Sequence, residues 1–380
     1  MMLKRFLALL LIFACCISAF ACKTQSTENG LGNGEEPIRS MELLFAKNFS
    51  VDYYASGCKL ITIEDGGRFL IVPEGAQTPK GIAKDIAVLK QPIKNIYLAA
   101  SAVMCLFDGL ERLDAIRFSG TKAEGWYVEN ARAAMENGSI IYAGKYSQPD
   151  YELILSENCP LAIESGMISH ASDVQTQLEK LGIAVLMDRS SYESHPLART
   201  EWIKLYGALL DEEERADALF TEQVELMNAA AEKEPSGKSV AFFRISPNGY
   251  AVARRSGDYV SRMIELAGGE YAFSGLGDGD TALSTINIEM ETFFQTARDA
   301  DVIVYNSTIG GEVESLDEFL SLNPVLAELK AVQNGEVWCT RESMYQQTLN
   351  IGRMIAEIGA ILAACSEEKL DLTYFFKLEP

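Results

Sequence analysis

The stretch DEEERADALFTEQVELMNAAAEK, residues 211–233, is predicted to form one long helix between two halves of the chain. Asp211 is a favourable N-cap, and Glu214 follows three residues later, as in a capping box. The acidic first turn suits the positive end of the helix dipole. The sequence Glu-Pro-Ser-Gly at 234–237 ends the helix. About 23 residues at ~1.5 Å each give a length of about 35 Å, which is enough to join two domains.

Short apolar runs alternate with helical stretches on both sides of this helix. The runs begin near Asn95, Ala115, Leu161 and Ile183 before it, and near Ser239, Asp301 and Glu336 after it. Alternation at this spacing predicts parallel βαβ units. The predicted fold is therefore α/β, with two Rossmann-like lobes joined by a single long helix and a ligand cleft between the lobes.

The pattern divides the chain into six parts. They are a signal peptide (1–21), a lipidated tether (22–45), an N-terminal lobe that begins with a β-hairpin (46–210), the linking helix (211–233), a C-terminal lobe (238–366) and a tail (367–380). The hairpin prediction rests on two β-rich runs on either side of the turn sequence Asp65-Gly-Gly.

The N-terminus has the pattern of an export signal. Two basic residues precede the apolar run 6–20, which is shorter than the ~20 residues that span a bilayer. The sequence Ala19-Phe-Ala-Cys22 and the polar tract after it resemble a bacterial lipobox, which implies lipidation of Cys22. Cys15 and Cys16 are alternative cleavage points, and an uncleaved signal anchor is the other interpretation.

Composition and charge restrict the class of protein. Hydrophobic residues make up 48% of the chain and charged residues 23%, which is the balance of a globular protein with a core. The formal charge of -21 argues against nucleic acid as a partner and against electrostatic adhesion to anionic lipid.

Five cysteines remain after the signal and the lipidation site are set aside, and no CxxC pair occurs. They are Cys58, Cys105, Cys159, Cys339 and Cys365. An odd number without paired spacing favours buried free thiols over disulfides or a zinc site. The sequence Asp278-Gly-Asp280 invites comparison with a calcium loop, but Leu283 stands where an EF-hand needs glycine. We therefore predict no bound metal and no cofactor.

Five further segments, in order and spacing, resemble the helix-linked (class III) substrate-binding proteins of bacterial ABC importers. This group delivers iron-siderophores, haem and cobalamin. The segments cover 144–163, 178–186, 201–210, 266–270 and 300–304. The first contains Pro149-Asp-Tyr-Glu-Leu-Ile-Leu and leads to Cys159-Pro-Leu-Ala-Ile, and the fourth reads Leu266-Ala-Gly-Gly-Glu. The resemblance extends over about residues 90–365.

The resemblance implies a monomeric, lipid-anchored binding protein on the outer side of the cell membrane, facing a periplasm or the outside, and not an enzyme. It would capture a metal complex in the cleft and deliver it to a permease dimer with a cytoplasmic ATPase. In this family a surface glutamate of each lobe docks on the permease. Glu152 matches the N-terminal position, and Glu291 is the C-terminal choice with Glu289 as the alternative. Ordinary first-turn carboxylates give the same pattern.

Ligands of open α/β folds bind at the carboxyl ends of the strands, and this rule selects the candidate ligand-binding residues. They are Ser101, Thr121, Trp126, Tyr127, Ser165, Arg189 and Tyr192 in the first lobe, and Tyr250, Arg254, Asn306 and Tyr345 in the second. Arginine pairs with carboxylates, tyrosine and tryptophan stack on flat ligands, and a tyrosine phenolate can coordinate ferric iron. A surface or core role is the alternative for each, and the same holds for His170 as a haem ligand.

Two other classes of function stay open at this point. One is an extracytoplasmic α/β enzyme, such as a glycosyl or phosphoryl transferase. The sequence contains no GxSxG, GxxxxGK[ST] or GxGxxG motif, which argues against it. The other is a ligand sensor or adhesin that uses the same fold without transport. Iron-siderophore, haem, cobalamin and oxyanion complexes all suit a polar and aromatic cleft.

Overall fold

The computed structural model describes residues 30–276, 285–364 and 369–379. The predicted signal peptide, Cys22, the Asp278-Gly-Asp280 sequence and Cys365 lie outside these residues. Within the described ranges, no helix combines the length and the apolar character that crossing a membrane requires.

A five-stranded sheet precedes the two lobes. Its strands are β1 (Arg39–Ser40), β2 (Phe49–Tyr53), β3 (Lys59–Ile63), β4 (Gly67–Val72) and β5 (Ile86–Lys90), in that order across the sheet. The predicted hairpin is β3–β4, with Asp65 at a positive φ of 52° in its turn. The sequence analysis missed the rest, because β1 is too short to show a period and β5 pairs parallel to β4 through a long connection. Strand β1 lies inside the predicted tether, 22–45.

The N-terminal lobe is built on a parallel sheet of order β12–β11–β6–β7–β8. In chain order its elements are β6 (Ile96–Leu98), α1 (Met104–Gly109), β7 (Ile116–Ser119), α2 (Glu129–Glu136), β8 (Ile141–Tyr142), β9 (Gly144–Lys145), β10 (Gln148–Pro149), α3 (Tyr151–Ser156), β11 (Leu161–Ser165), α4 (Ser172–Lys180) and β12 (Ala184–Asp188). The predicted strands from Asn95, Ala115, Leu161 and Ile183 are β6, β7, β11 and β12. Their near-continuous burial is typical of parallel strands covered on both faces.

Three helices follow, namely α5 (Pro196–Glu201), α6 (Ile203–Leu210) and the linking helix α7 (Glu213–Ala231). The linking helix lies inside the predicted range 211–233, but Asp211 is not its N-cap. Asp211 has a left-handed φ of 65° and ends α6. Its carboxylate lies 2.9 Å from the Lys59 ammonium of the N-terminal sheet, so a tertiary ion pair replaces the predicted cap.

The C-terminal lobe has a mixed sheet of order β16–β14–β13–β17–β18–β19, with β15 beside β13. In chain order its elements are β13 (Ser239–Ile245), β14 (Ala251–Arg254), α8 (Tyr259–Leu266), β15 (Glu270–Tyr271), β16 (Thr285–Ile288), α9 (Met290–Ala297), β17 (Val302–Tyr305), α10 (Leu316–Ser321), α11 (Lys330–Gln333), β18 (Val337–Thr340), α12 (Ile351–Ala363) and β19 (Phe375–Lys377). The predicted parallel strands are β13, β17 and β18.

The antiparallel strands of this lobe correct two predictions. Arg254 lies on β14, paired with β13 and β16, and not in a loop after Phe243. The predicted tail, 367–380, contributes β19, which pairs with β18. A Pro-Asn-Gly sequence at 247–249 indicates the β13–β14 turn. Nothing local indicates β19, because its pairing partner precedes it by a whole helix.

Helix α12 packs closely on the linking helix α7. A Cβ atom built on Gly352 would overlap the backbone carbonyl oxygen of Gln223 on α7. Glycine is therefore required where these two backbones meet. This close packing fixes the C-terminal lobe against the helix that joins it to the N-terminal lobe.

Candidate ligand cleft

The loop after β7 and the loop after β18 meet across the two lobes. The Tyr127 hydroxyl donates a hydrogen bond to the carboxylate of Glu342. The Tyr127 backbone N–H donates to Oε1 of Gln346 at 2.8 Å, and Nε2 of Gln346 donates to the Gly125 carbonyl at 2.7 Å. We call these four residues the latch. It joins carboxyl-end loops of both sheets and marks one side of the interlobe cleft.

Two of the predicted residues, Tyr127 and Tyr345, come together at the latch. Their rings make an edge contact with centroids 6.2 Å apart. The hydrogen bond to Glu342, aided by burial, raises the pKa of the Tyr127 hydroxyl to about 12. Tyr127 is therefore a neutral donor at physiological pH, and the exposed ring of Tyr345 remains available to a ligand.

Trp126 does not face the cleft, and that expectation is wrong. The side chain is fully buried, and its indole N–H donates to the Ser119 hydroxyl at 3.0 Å. The Arg132 guanidinium also donates to the Trp126 carbonyl. The sequence places an aromatic residue after a strand without showing which way it points, and here the adjacent Ser119 hydroxyl satisfies the indole inside the lobe.

Arg189 and Tyr192 follow β12, on the side of the sheet away from the latch. The Arg189 guanidinium lies 3.8 Å from the centre of the Tyr192 ring and 3.7 Å from the Asp65 carboxylate of the N-terminal sheet. Tyr192 packs on Gly166, where a Cβ would overlap its hydroxyl. The structure thus brings together the predicted residues Arg189 and Tyr192, next to Gly166, which follows the predicted Ser165.

The sequence analysis missed Arg199. Arg199 lies on α5, where the strand-end rule selects nothing, but its guanidinium lies 3.8 Å from the centre of the Tyr259 ring in the other lobe. Burial lowers the pKa of Arg199. Arg255 follows the predicted Arg254. The signal that could have found Arg199 is a single basic residue inside a largely apolar helix, since Ala198 and Thr200 beside it are buried.

The remaining predicted ligand-binding residues lie at the ends of different strands. Ser101 and Thr121 are half-buried after β6 and β7. Asn306 is buried, and its Oδ1 accepts from the Thr308 N–H at 3.2 Å, so it shapes the loop after β17. Tyr250 is exposed in the β13–β14 turn.

Exposed apolar side chains also gather at the carboxyl ends of the strands. Large exposed hydrophobic residues on these loops are Tyr142, Met167, Tyr250, Ile309 and Tyr345. They come from both lobes, after or at the end of β8, β11, β13, β17 and β18. Scattered surface hydrophobics need no explanation, and these five are half of the large exposed hydrophobic residues of the described chain.

Histidine and cysteine do not form a site in the described part of the chain. His170 is exposed, while the ring of His195 stacks on Phe45 with centroids 4.1 Å apart. The described cysteines Cys58, Cys105, Cys159 and Cys339 are buried free thiols, as the sequence predicts for these four. Among the described residues, no three His, Cys, Asp or Glu side chains converge in an arrangement that could hold a metal ion.

The predicted docking carboxylates are exposed and lie at helix starts. Glu152 is in the first turn of α3, whose N-cap Asp150 accepts from the Leu153 N–H at 3.0 Å. Glu291 is in the first turn of α9, and Glu289 is the residue before that helix. One such carboxylate therefore stands on each lobe.

A separate groove of about 730 Å³ lies between the N-terminal sheet and the first lobe. It is lined by β5, including the exposed Val88, and by the amino-terminal part of β12. None of the latch residues or predicted ligand-binding residues lines this groove, so it serves as a reference surface for any binding at the cleft.

Comparisons with known proteins agree with this architecture. The periplasmic binding protein family model matches residues 115–343, so the N-terminal sheet lies before the match. The uncharacterized lipoprotein MJ0878 of Methanocaldococcus jannaschii is 25% identical over 348 residues, covering 84% of this chain and 81% of its own. The lipoprotein MJ0872 of the same organism is 23% identical over 359 residues, covering 89% and 88%.

Solved structures share the fold. The periplasmic haem-binding protein HutB of Vibrio cholerae superimposes with a TM-score of 0.58 at 19% identity, covering 71% of this chain and 99% of its own. An ABC-type Fe3+-hydroxamate transport protein from Saccharomonospora viridis gives 0.55 at 20% identity, covering 72% and 94%. At these identities the likeness shows the fold alone. The ligand of this chain has to be argued from its own residues.

Proposed function

Because this chain belongs to the periplasmic binding protein family, we propose that it is the substrate-binding lipoprotein of an ABC importer. It captures a metal complex (an iron-siderophore, haem or cobalamin) outside the cell membrane and delivers it to the permease dimer and its cytoplasmic ATPase. The observation that carries the proposal is the latch, because it joins the carboxyl-end loops of two α/β lobes across a cleft.

The geometry of the lobes supports capture. Their facing loops combine tyrosine, arginine and exposed apolar side chains, which suit a ligand that is flat, charged or both. The linking helix α7 is continuous from Glu213 to Ala231 and packs on α12, so the lobes separate only modestly. A protein that binds and releases its cargo intact needs no more movement than this.

Two features support delivery and anchoring. Glu152 and Glu291, with Glu289 as the alternative, present one exposed carboxylate on each lobe for arginines of a permease. The two relatives from Methanocaldococcus jannaschii are named as lipoproteins, and this supports lipidation at Cys22 of a monomer that a tether holds at the membrane.

The capture step is tested by isothermal titration calorimetry of the full chain in lipid nanodiscs. The panel is ferric siderophores, haemin and cyanocobalamin, with metal-free siderophores and empty nanodiscs as controls. We expect saturable sub-micromolar binding of one complex. A folded protein, verified by thermal unfolding, that binds none of them would contradict the proposal.

The delivery step is tested with the double variant Glu152→Arg/Glu291→Arg. Its affinity for the bound complex should equal that of the unchanged protein, while its uptake into cells that carry the transporter should fall. Glu179→Arg, on the exposed face of α4, controls for charge reversal alone. If the double variant supports the same uptake as the unchanged protein, Glu152 and Glu291 do not contribute to docking.

A further inference from the structure

Two strand edges border the groove between the N-terminal sheet and the first lobe, which we call the groove beside β5. In the described chain, β5 and β12 are each the outermost strand of their sheet. The groove is lined by every residue of β5 and by residues 183–185 around the start of β12. Consecutive residues line an edge, whereas alternate residues line the face of a sheet. The groove therefore lies between two edges at which another strand can pair.

Strand β5 directs free backbone groups to its edge. The Gln91 N–H, just after β5, donates to the Val72 carbonyl of β4 at 2.9 Å. Along a parallel strand, successive residues direct their N–H and C=O groups to opposite sides. Val88 and Lys90 therefore direct theirs away from β4, and the Val88 side chain is 41% exposed as well. A strand placed here would find backbone partners and an apolar contact at the centre of β5.

Strand β12 has a shorter free edge on the other side of the groove. The Ala184 N–H donates to the Pro160 carbonyl at 3.1 Å, on the β11 side, so Val185 directs its N–H and C=O groups to the opposite side. The next N–H on that side, from Met187, donates to the Gly66 carbonyl at 3.4 Å. The β3–β4 turn thus covers the edge at Met187 and leaves it open at Val185.

The groove beside β5 is basic, although the chain is acidic. Its charged lining residues are Arg68, Lys84 and Lys90 against Asp85 and Glu179. Arg68 pairs with Asp85 at 2.8 Å, and its Nε atom is buried without a partner in the described chain. Both lysines are exposed and form no salt bridge with a described residue. In a chain of formal charge -21, this is a local excess of positive charge that attracts carboxylates.

The two lysines make the edge selective. Lysine on an edge strand is a common means of preventing pairing with other strands. A basic strand beside β5 would be repelled by Lys84 and Lys90, whereas an acidic strand would place opposite charges next to them. The same residues therefore exclude one kind of strand and favour another.

We propose that the groove beside β5 binds an extended, acidic peptide segment of a partner protein. The segment lies along β5 as an added strand, with main-chain hydrogen bonds to Val88 and Lys90 and with carboxylates beside Lys84 and Lys90. The 5 residues of β5 span about 17 Å, so about five to seven peptide residues cover the edge. Strand β5 lies before the residues that match the family model, and the inference is independent of the ligand in the cleft.

Fluorescence anisotropy with the full chain in nanodiscs of neutral lipid tests this. The probe is a labelled peptide of about seven residues that alternates glutamate and valine, matched to the length of β5. One comparison peptide has lysine in place of glutamate. The other keeps the glutamates but has all its backbone amides N-methylated, so it cannot donate main-chain hydrogen bonds.

The test variant is Lys84→Gln/Lys90→Gln. The matched control is Lys80→Gln/Lys94→Gln, which removes the same charge at two exposed positions outside the groove. All four lysines are exposed, so we expect both variants to fold like the unchanged protein, which thermal unfolding verifies. Hydrogen–deuterium exchange with the acidic peptide at saturation locates the bound segment.

We expect the acidic peptide to bind at least about tenfold more tightly than either comparison peptide. The groove variant should weaken it by roughly three- to thirty-fold, and the control should leave it unchanged. Exchange should slow in β5. No binding, equal binding of the lysine or N-methylated peptide, equal affinities of the two variants, or protection confined to other strands would each overturn the inference. None of these results bears on capture of a metal complex, which the calorimetric panel tests separately.

Discussion

The Tyr127 hydroxyl of the N-terminal lobe donates a hydrogen bond to the Glu342 carboxylate of the C-terminal lobe. With Gln346 and Gly125 it joins loops of the two lobes on one side of the cleft. A second contact between the lobes lies away from the latch, where the Arg199 guanidinium lies 3.8 Å from the centre of the Tyr259 ring.

Tyr127→Phe should loosen the latch. Loss of a hydrogen bond to a charged acceptor should lower the free energy of unfolding by about 1.5 kcal/mol, measured by denaturant titration. Small-angle X-ray scattering of the ligand-free protein should show a larger radius of gyration. Tyr142→Phe, which removes the hydroxyl of an exposed tyrosine, is the matched control. Equal stability of the two variants would mean that the latch does not hold the lobes.

Glu164 should make stability depend on pH. Its carboxylate is fully buried on β11, both oxygens lack a partner among the described residues, and burial raises its pKa to about 8. The folded state therefore keeps a proton that the unfolded chain has lost above its ordinary pKa. The resulting stability is fully present below that ordinary pKa and is lost as the pH rises to about 8.

The measurement is denaturant unfolding of the unchanged protein and Glu164→Gln at pH 5 and pH 8. The variant, whose amide is neutral at both values, should lose less stability over this interval. Glu179→Gln, on an exposed face of α4, should behave like the unchanged protein. The same pH dependence in all three would contradict a titrating Glu164.

Gly352→Ala should destabilise the contact between α12 and α7. The new methyl group would overlap the Gln223 backbone, which cannot rotate away as a side chain can. We expect a loss of about 1–3 kcal/mol. Gly359→Ala is the control on the same helix, since the nearest atom to its Cβ is 3.6 Å away. If the two variants unfold at the same denaturant concentration, the close approach of α7 and α12 is not as described.

Glu201→Gln should release the N-terminal sheet from the first lobe. The fully buried Glu201 carboxylate accepts the backbone N–H groups of Leu44, Phe45 and Ala46 at 2.7, 2.7 and 2.8 Å. An amide keeps one acceptor oxygen and adds donors that face other donors. We expect a loss of at least about 3 kcal/mol and faster proteolysis before Ala46. Glu232→Gln, exposed at the end of α7, should change neither quantity.

The parallel strands and the long linking helix were predictable from the sequence because their signals are local. Each strand is a short apolar run, and the helix carries its own acidic start and Pro-Gly stop. Strands β14, β16 and β19 were not predicted, since short antiparallel strands depend on partners elsewhere in the chain. Asp211 shows the same limit, because Lys59, a distant residue, decides its role.

The cleft residues were predictable only as strand-end positions. That rule selected Tyr127, Arg189 and Tyr345, which lie on the loops after β7, β12 and β18. It cannot give the direction of a side chain, so it selects Trp126 as a ligand-binding residue although the indole lies in the core. It also cannot reach Arg199, which contacts Tyr259 of the other lobe from a helix.

Hydrogen–deuterium exchange of the full chain, with and without the complex that binds most tightly, tests the cleft as the site of capture most directly. We predict protection of the loops after β7, β11, β12 and β18, together with the start of α8. The groove beside β5 should exchange at the same rate in both samples. Protection confined to that groove, or no protection in either lobe at saturating ligand, would contradict the account.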